Sequence, residues 1–136
     1  MPNAFCHIEL ATDDVAKAKK FYKGLFQWSL GPMPGGYTMI DVGKGTGGGM
    51  MQKSMPQQPT AWLPYVEVDD VKKTVAKARK LGASVQVEYM AIDGNMGAIG
   101  VFVDPNGAAI GVWEAPKKAA KKGAKKSAKK AAAKKR

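Results

Sequence analysis

Two stretches of this chain repeat one another at an offset of 56 residues, from Asp13 to Asp69, and that duplication limits the possible folds more than any other feature. The first copy runs from Cys6 to Phe26 and the second from Leu63 to Gly82. At this offset Asp13-Asp14-Val15 answers to Asp69-Asp70-Val71, while Tyr22 and Leu25 fall on Ala78 and Leu81. The apolar positions i, i+7 and i+10 of a helical stripe are thus kept in both copies. Solenoids generally need three or more repeats, so two copies point to fused half-domains around one core.

The chain between and around the copies supplies the remaining elements. Ala4 to Leu10 reads as a strand, followed by a helix that Thr12 or Asp13 can cap and Gly24 can stop. Gly31 to Gly36 reads as a loop, Tyr37 to Val42 as a strand, and Gly49 to Gln52 as another. Lys53 to Thr60, with two prolines, is the expected linker. The second half opens with a strand over Ala61 to Val68 and a helix over Asp70 to Leu81. Strands over Ser84 to Tyr89, Ala98 to Val103 and Ala108 to Glu114 follow, the last two joined by the turn Asp104-Pro105-Asn106-Gly107. Each half is then a strand, a helix and two or three strands. Gly43-Lys44-Gly45-Thr46-Gly47-Gly48 matches a dinucleotide fingerprint in its letters, but it precedes a strand instead of opening a helix, so a hairpin turn is expected.

With 45% hydrophobic and 24% charged residues in 136, the composition is that of an ordinary globular domain, and no apolar run reaches the roughly 20 residues of a membrane helix. One cysteine, Cys6, cannot form an internal disulfide, in keeping with a reducing compartment. The expected location is cytoplasmic, with nucleoid association, and no membrane partner. The net charge of +11 is unevenly placed. All eleven acidic residues lie at or before Glu114 and are matched there by eleven basic ones, so the whole excess sits in residues 116–136. That tail carries Lys117, Lys118, Lys121, Lys122, Lys125, Lys126, Lys129, Lys130, Lys134, Lys135 and Arg136 among Ala, Gly and Ser. Without aromatic or branched apolar residues it is expected to stay disordered, and its natural partner is DNA or RNA, held through phosphates without base reading. A tail that serves only solubility is the alternative.

The repeat, the Asp-Asp-Val helix starts, Phe21-Tyr22 before Leu25-Phe26-Gln27-Trp28, and the Asp-Pro-Asn-Gly turn before Gly111-Val112-Trp113-Glu114 together resemble the vicinal oxygen chelate superfamily of glyoxalase I, bleomycin-resistance proteins and extradiol dioxygenases. The tail resembles those of linker histones. The resemblance implies an α+β fold of two βαβββ modules, about 4–52 and 61–115, whose curved, half-barrel-like mixed sheet surrounds a cavity. It also implies homodimers. Catalytic members hold a divalent metal with residues from the first and last strands of each module. Carried over, these positions fall on His7, Met50 (with Gln52 on the same strand face), Leu63 and Gly111. Only His7 is a ligand type, so three of four positions are lost, and a divalent metal, with His7 as its best ligand, is the one cofactor left open.

Strand alternation puts His7 and Glu9 on one face and Leu63 and Tyr65 on the matching face of the repeat. If those faces point inward, His7, Glu9 and Tyr65 are catalytic candidates, and with Met50, Gln52, Leu63 and Trp113 they line a small-molecule site. An imidazole beside a carboxylate can act as an acid-base pair, or it can be a hydrogen-bonded structural group. The function expected is a glyoxalase-like or bleomycin-resistance-like protein that binds, and in one reading transforms, a small molecule. Two alternatives stand beside it: a nucleic-acid-associated protein with a vestigial or sensory cavity, and a metal-dependent lyase or dioxygenase with atypical ligands.

Overall fold

The computed structural model describes residues 3–117. Its elements run β1 (Phe5–Thr12), α1 (Val15–Leu25), β2 (Ser29–Pro32), β3 (Thr38–Asp41), β4 (Gly48–Gln52), β5 (Ala61–Glu67), α2 (Val71–Lys80), β6 (Ser84–Ala91), β7 (Ala98–Val103) and β8 (Ala109–Glu114). This is βαβββ twice, the α+β class expected. The chain divides into two compact units, one over Ala4–Tyr65 and one from Val66 onward that also takes in Asn3, with β5 contributing to both.

In the first unit the strands are ordered β2-β3-β4-β1-β5. β1 and β4 run parallel with Leu10 beside Met50, and β3 runs antiparallel to β4 with Met39 beside Gly49. One face of this sheet is covered by α1. Leu10, Ile40 and Met50 form the buried core there, packed against Val15, Ala18, Tyr22 and Trp28. β2 replaces part of an expected loop. Gly31-Pro32 reads as a break, yet β2 is the outer strand and pairs only with β3, so a proline there removes no bond on its open side.

In the second unit β8, β7 and β6 follow one another, and the Val68 amide beyond β5 donates to the Trp113 carbonyl at 2.9 Å. α2 covers a core of Val71, Val75 and Val112. Gly100 on β7 permits this close approach, since a Cβ there would meet Val75 Cγ2 at 2.9 Å. Glu114 is also buried under α2, and its Oε1 accepts from the Val71 amide at 2.7 Å.

The repeat is reproduced at the helix caps. Asp14 Oδ1 accepts from the Lys17 amide at 3.0 Å, and Asp70 Oδ1 from the Lys73 amide at 2.9 Å, the same pair 56 residues on. The capping expected of Thr12 or Asp13 is corrected accordingly: Asp13 instead pairs with Lys53 Nζ at 3.0 Å. Gly24 does not stop α1 either, because the helix runs through it to Leu25. Residues 43–47 form the turn between β3 and β4, with the Gly43 amide bonded to Asp41 Oδ1 at 2.9 Å, so the hairpin reading of the glycine-rich stretch holds.

Candidate functional site

The face of the first unit's sheet opposite α1 carries a polar cluster. His7 and Glu9 project from β1, and Tyr65 from β5, the neighbouring strand. Tyr65 Oη donates to Glu9 Oε1 at 3.1 Å. Tyr37 completes the group: its hydroxyl donates to Glu9 Oε2 at 2.9 Å and lies 2.7 Å from His7 Nε2. Both carboxylate oxygens are therefore bonded by phenols. The Tyr37 hydroxyl has one proton, which goes to the carboxylate, so it accepts from His7 Nε2–H. That order fixes the imidazole tautomer and leaves Nδ1 with the lone pair.

The electrostatics follow from burial beside one negative charge. Burial lowers the His7 pKa from the ordinary 6.5, and Glu9 opposes this only in part. The imidazole is neutral at pH 7. Burial raises both phenols far above their ordinary 10.0, with the Glu9 charge and the hydrogen bonds to it acting in the same direction. Tyr37 and Tyr65 therefore remain donors throughout the physiological range. A neutral imidazole with a free Nδ1 can accept a proton from a ligand. The positive charge it would gain is then stabilised by Glu9, reached through the Tyr37 hydroxyl.

Tyr37 is absent from the residues that the sequence singles out. It precedes β3, and alternation from the buried Thr38 and Ile40 sends Tyr37 and Met39 to the opposite face. The phenol reaches Glu9 over Gly49, the β4 residue in register with Glu9. The expectation for Met50 is corrected by the same parity. Met50 is 0% exposed in the core beneath α1, so the β4 residue on the His7 face is Gly49. Gln52 shares the Met50 side, and its Nε2 donates to the Asp13 carbonyl at 2.6 Å, tying β4 to the start of α1. Leu63 is half-buried on β5, two residues before Tyr65. Trp113 belongs to the second unit, where its indole N–H donates to the Met96 carbonyl at 2.9 Å. Of the tail cations, Lys117 lies within the described residues, 3.8 Å from Glu114 Oε2 and 3.9 Å from Asp70 Oδ2. Lys118 to Arg136 lie outside them.

The donor set does not fit the divalent metal that the superfamily implies. Leu63 and Gly111 have no ligating atom, Met50 is turned into the core, and both Glu9 oxygens are engaged by phenols. Among the described residues no three His, Cys, Asp or Glu side chains converge.

A family model described as a glyoxalase-like domain matches residues 7–113. The chain belongs to this family. Glyoxalase-like relatives include the putative glyoxylase CFP32 of Mycobacterium tuberculosis, 34% identical over 79% of this chain and 44% of that protein. The anthracycline biosynthesis protein DnrV of Streptomyces peucetius is 32% identical over 82% of this chain and 47% of that protein. The chain thus spans less than half the length of these curated relatives. Among solved structures, methylmalonyl-CoA epimerase from Mycobacterium tuberculosis superposes with a TM-score of 0.62 at 17% identity, covering 85% of this chain and 90% of that one. A hypothetical protein from Bacillus halodurans gives 0.64 at 12% identity, over 86% and 97%. At such identities these structures show the vicinal oxygen chelate fold alone.

Proposed function

We propose that this glyoxalase-like domain binds a small molecule bearing an acidic hydroxyl or an acidic C–H beside a carbonyl, using His7 Nδ1 as the acceptor and the Tyr37-Glu9-Tyr65 network to hold the imidazole in place. The observation that carries this reading is the bonding of both Glu9 oxygens by tyrosines whose chain of donors ends on His7. The Leu10, Ile40 and Met50 cluster lies on the other face of the same sheet, so the network is separate from it. Four polar groups gathered on one sheet face fix a ligand's orientation, as sparse convergent groups do in small-molecule sites. The relatives' names add direction: one is a putative glyoxylase and another an anthracycline biosynthesis protein. Ligands to try are therefore small 2-oxo compounds and anthracycline-type ring systems.

Calorimetric titration of this panel tests the proposal. A ligand should bind the native protein and lose about tenfold in affinity in Tyr37→Phe, the loss of one hydrogen bond to a charged group. His7→Ala should lose more. Equal binding by all three proteins would refute the assignment. We assign the tail to nucleic acid on its charge alone, and its test is argued in the Discussion.

A further inference from the structure

We propose that the aromatic surface formed by α1, the Phe26 that caps it and Trp62 of β5 is a platform for single-stranded nucleic acid, a role separate from both the His7 site and the tail. Three aromatic rings stand exposed there: Phe21 at 60%, Phe26 at 43% and Trp62 at 36%. They rest on a floor of Tyr22 and Trp28, stacked on one another with centroids 5.7 Å apart. Phe26 packs at 4.8 Å on Trp28, and Trp62 stands edge-on to Tyr22 at 5.4 Å while its indole N–H donates to the Tyr22 hydroxyl at 3.3 Å. The rings are thus fixed in place before any partner arrives. Leu25 extends the apolar surface, and exposed apolar patches of this kind mark interaction sites.

The charge around the patch selects the partner. α1 carries Lys17, Lys19, Lys20 and Lys23 and no acidic residue. Lys17 lies one turn before Phe21, and Lys23 close to one turn before Phe26. The two acids at the start of the helix are already engaged, Asp13 by Lys53 and Asp14 by the Lys17 amide. Cations bordering fixed aromatic faces are the recipe for single strands, because unpaired bases stack while the phosphates meet the lysines. A duplex hides its base faces and cannot use the rings. A second copy of the chain fits poorly, since a two-fold contact would lay this lysine-rich face on itself. Stacking reads no sugar, so DNA and RNA strands should both bind.

The test uses the full chain with labelled oligo(dT) and oligo(U), reading anisotropy for binding and tryptophan fluorescence for stacking. The tail from Pro116 has no aromatic residue, so strands held by the tail alone leave the fluorescence unchanged. Both strands should quench the fluorescence, and Trp62→Leu should remove most of that quenching. Phe21→Ala and Phe26→Ala should each weaken single-strand binding about tenfold and leave duplex binding unchanged. Lys20→Glu, at an exposed position that cannot disturb the core, should weaken it too. Unchanged quenching and affinity in these variants would overturn the proposal. So would a Phe21→Ala protein that loses self-association in sedimentation while binding strands as before.

Discussion

The Tyr37 ring occupies the space that a side chain at Gly49 would fill. A Cβ built on Gly49 meets the Tyr37 hydroxyl, Cζ and Cε2 inside van der Waals contact, and Gly49 is the β4 partner of Glu9. The glycine therefore admits the phenol to the carboxylate. Gly49→Ala is expected to displace Tyr37, break its bonds to Glu9 and His7, and lower stability by about 1–3 kcal/mol. In a Tyr37→Ala background the obstacle is gone, so most of that cost should vanish. Urea unfolding of the two single variants and the double variant measures the coupling, and additive effects would contradict it.

The cluster also sets a pH dependence. The unfolded His7 imidazole takes up a proton near 6.5, while burial lowers the folded value. Below 6.5 the unfolded state thus binds more protons, so stability falls with falling pH until the folded value is passed, and the loss then stops. Thermal unfolding across that range should show a smaller fall for His7→Gln than for the native protein. At the alkaline end the sign reverses. Tyr37 and Tyr65 keep their protons in the fold beyond 10.0, where the unfolded chain gives them up, so stability is lost as pH rises through that value. Phenolate absorbance of the folded protein above pH 10 should be unchanged by the Tyr37→Phe/Tyr65→Phe pair.

These contacts were not equally visible in the chain. The 56-residue repeat announced both helices but not the first cap, which is Asp14 in place of Thr12 or Asp13; Asp14 and Asp70 each accept from the amide three residues on. His7, Glu9 and Tyr65 followed from strand alternation and the same offset, and they do meet. Tyr37 did not, because its partners lie 28 and 30 residues away and no local period reports a contact across two strands. The Gly48-Gly49-Met50-Met51 run hid its parity as well. With no alternation between apolar and polar residues, one step of register decides whether Met50 faces the core or the site. β2 was obscured by Gly31-Pro32, whose meaning changes at a sheet edge.

Glu114 offers a test of the second unit by itself. Its carboxylate is 3% exposed and accepts the Val71 amide at the first turn of α2, where the helix dipole favours negative charge. Glu114→Ala leaves that amide without a partner in a buried place and should cost about 1–3 kcal/mol. Glu114→Gln retains an acceptor and loses only the charge, so the cost should be about 0.3–1 kcal/mol. Urea midpoints of the two variants should fall in that order.

The tail makes the last prediction, and duplex DNA is its proper probe because paired bases cannot lie on the rings of α1. From Lys117 to Arg136 the chain offers eleven cations, whereas the eleven before them are balanced by eleven acids. Each phosphate neutralised releases counterions, so if about half to all of the tail's charges make contact, the log-log slope of affinity against salt should be on the order of −5 to −10. Sequence preference should be slight, since lysine and alanine supply no base-reading geometry. A chain ending at Ala115 should lose duplex binding at moderate salt while keeping the thermal stability of its folded units. Gel-shift titrations of both proteins at two salt concentrations decide the matter: equal binding would remove the assignment from the tail, and binding by neither would leave the lysines a role in solubility.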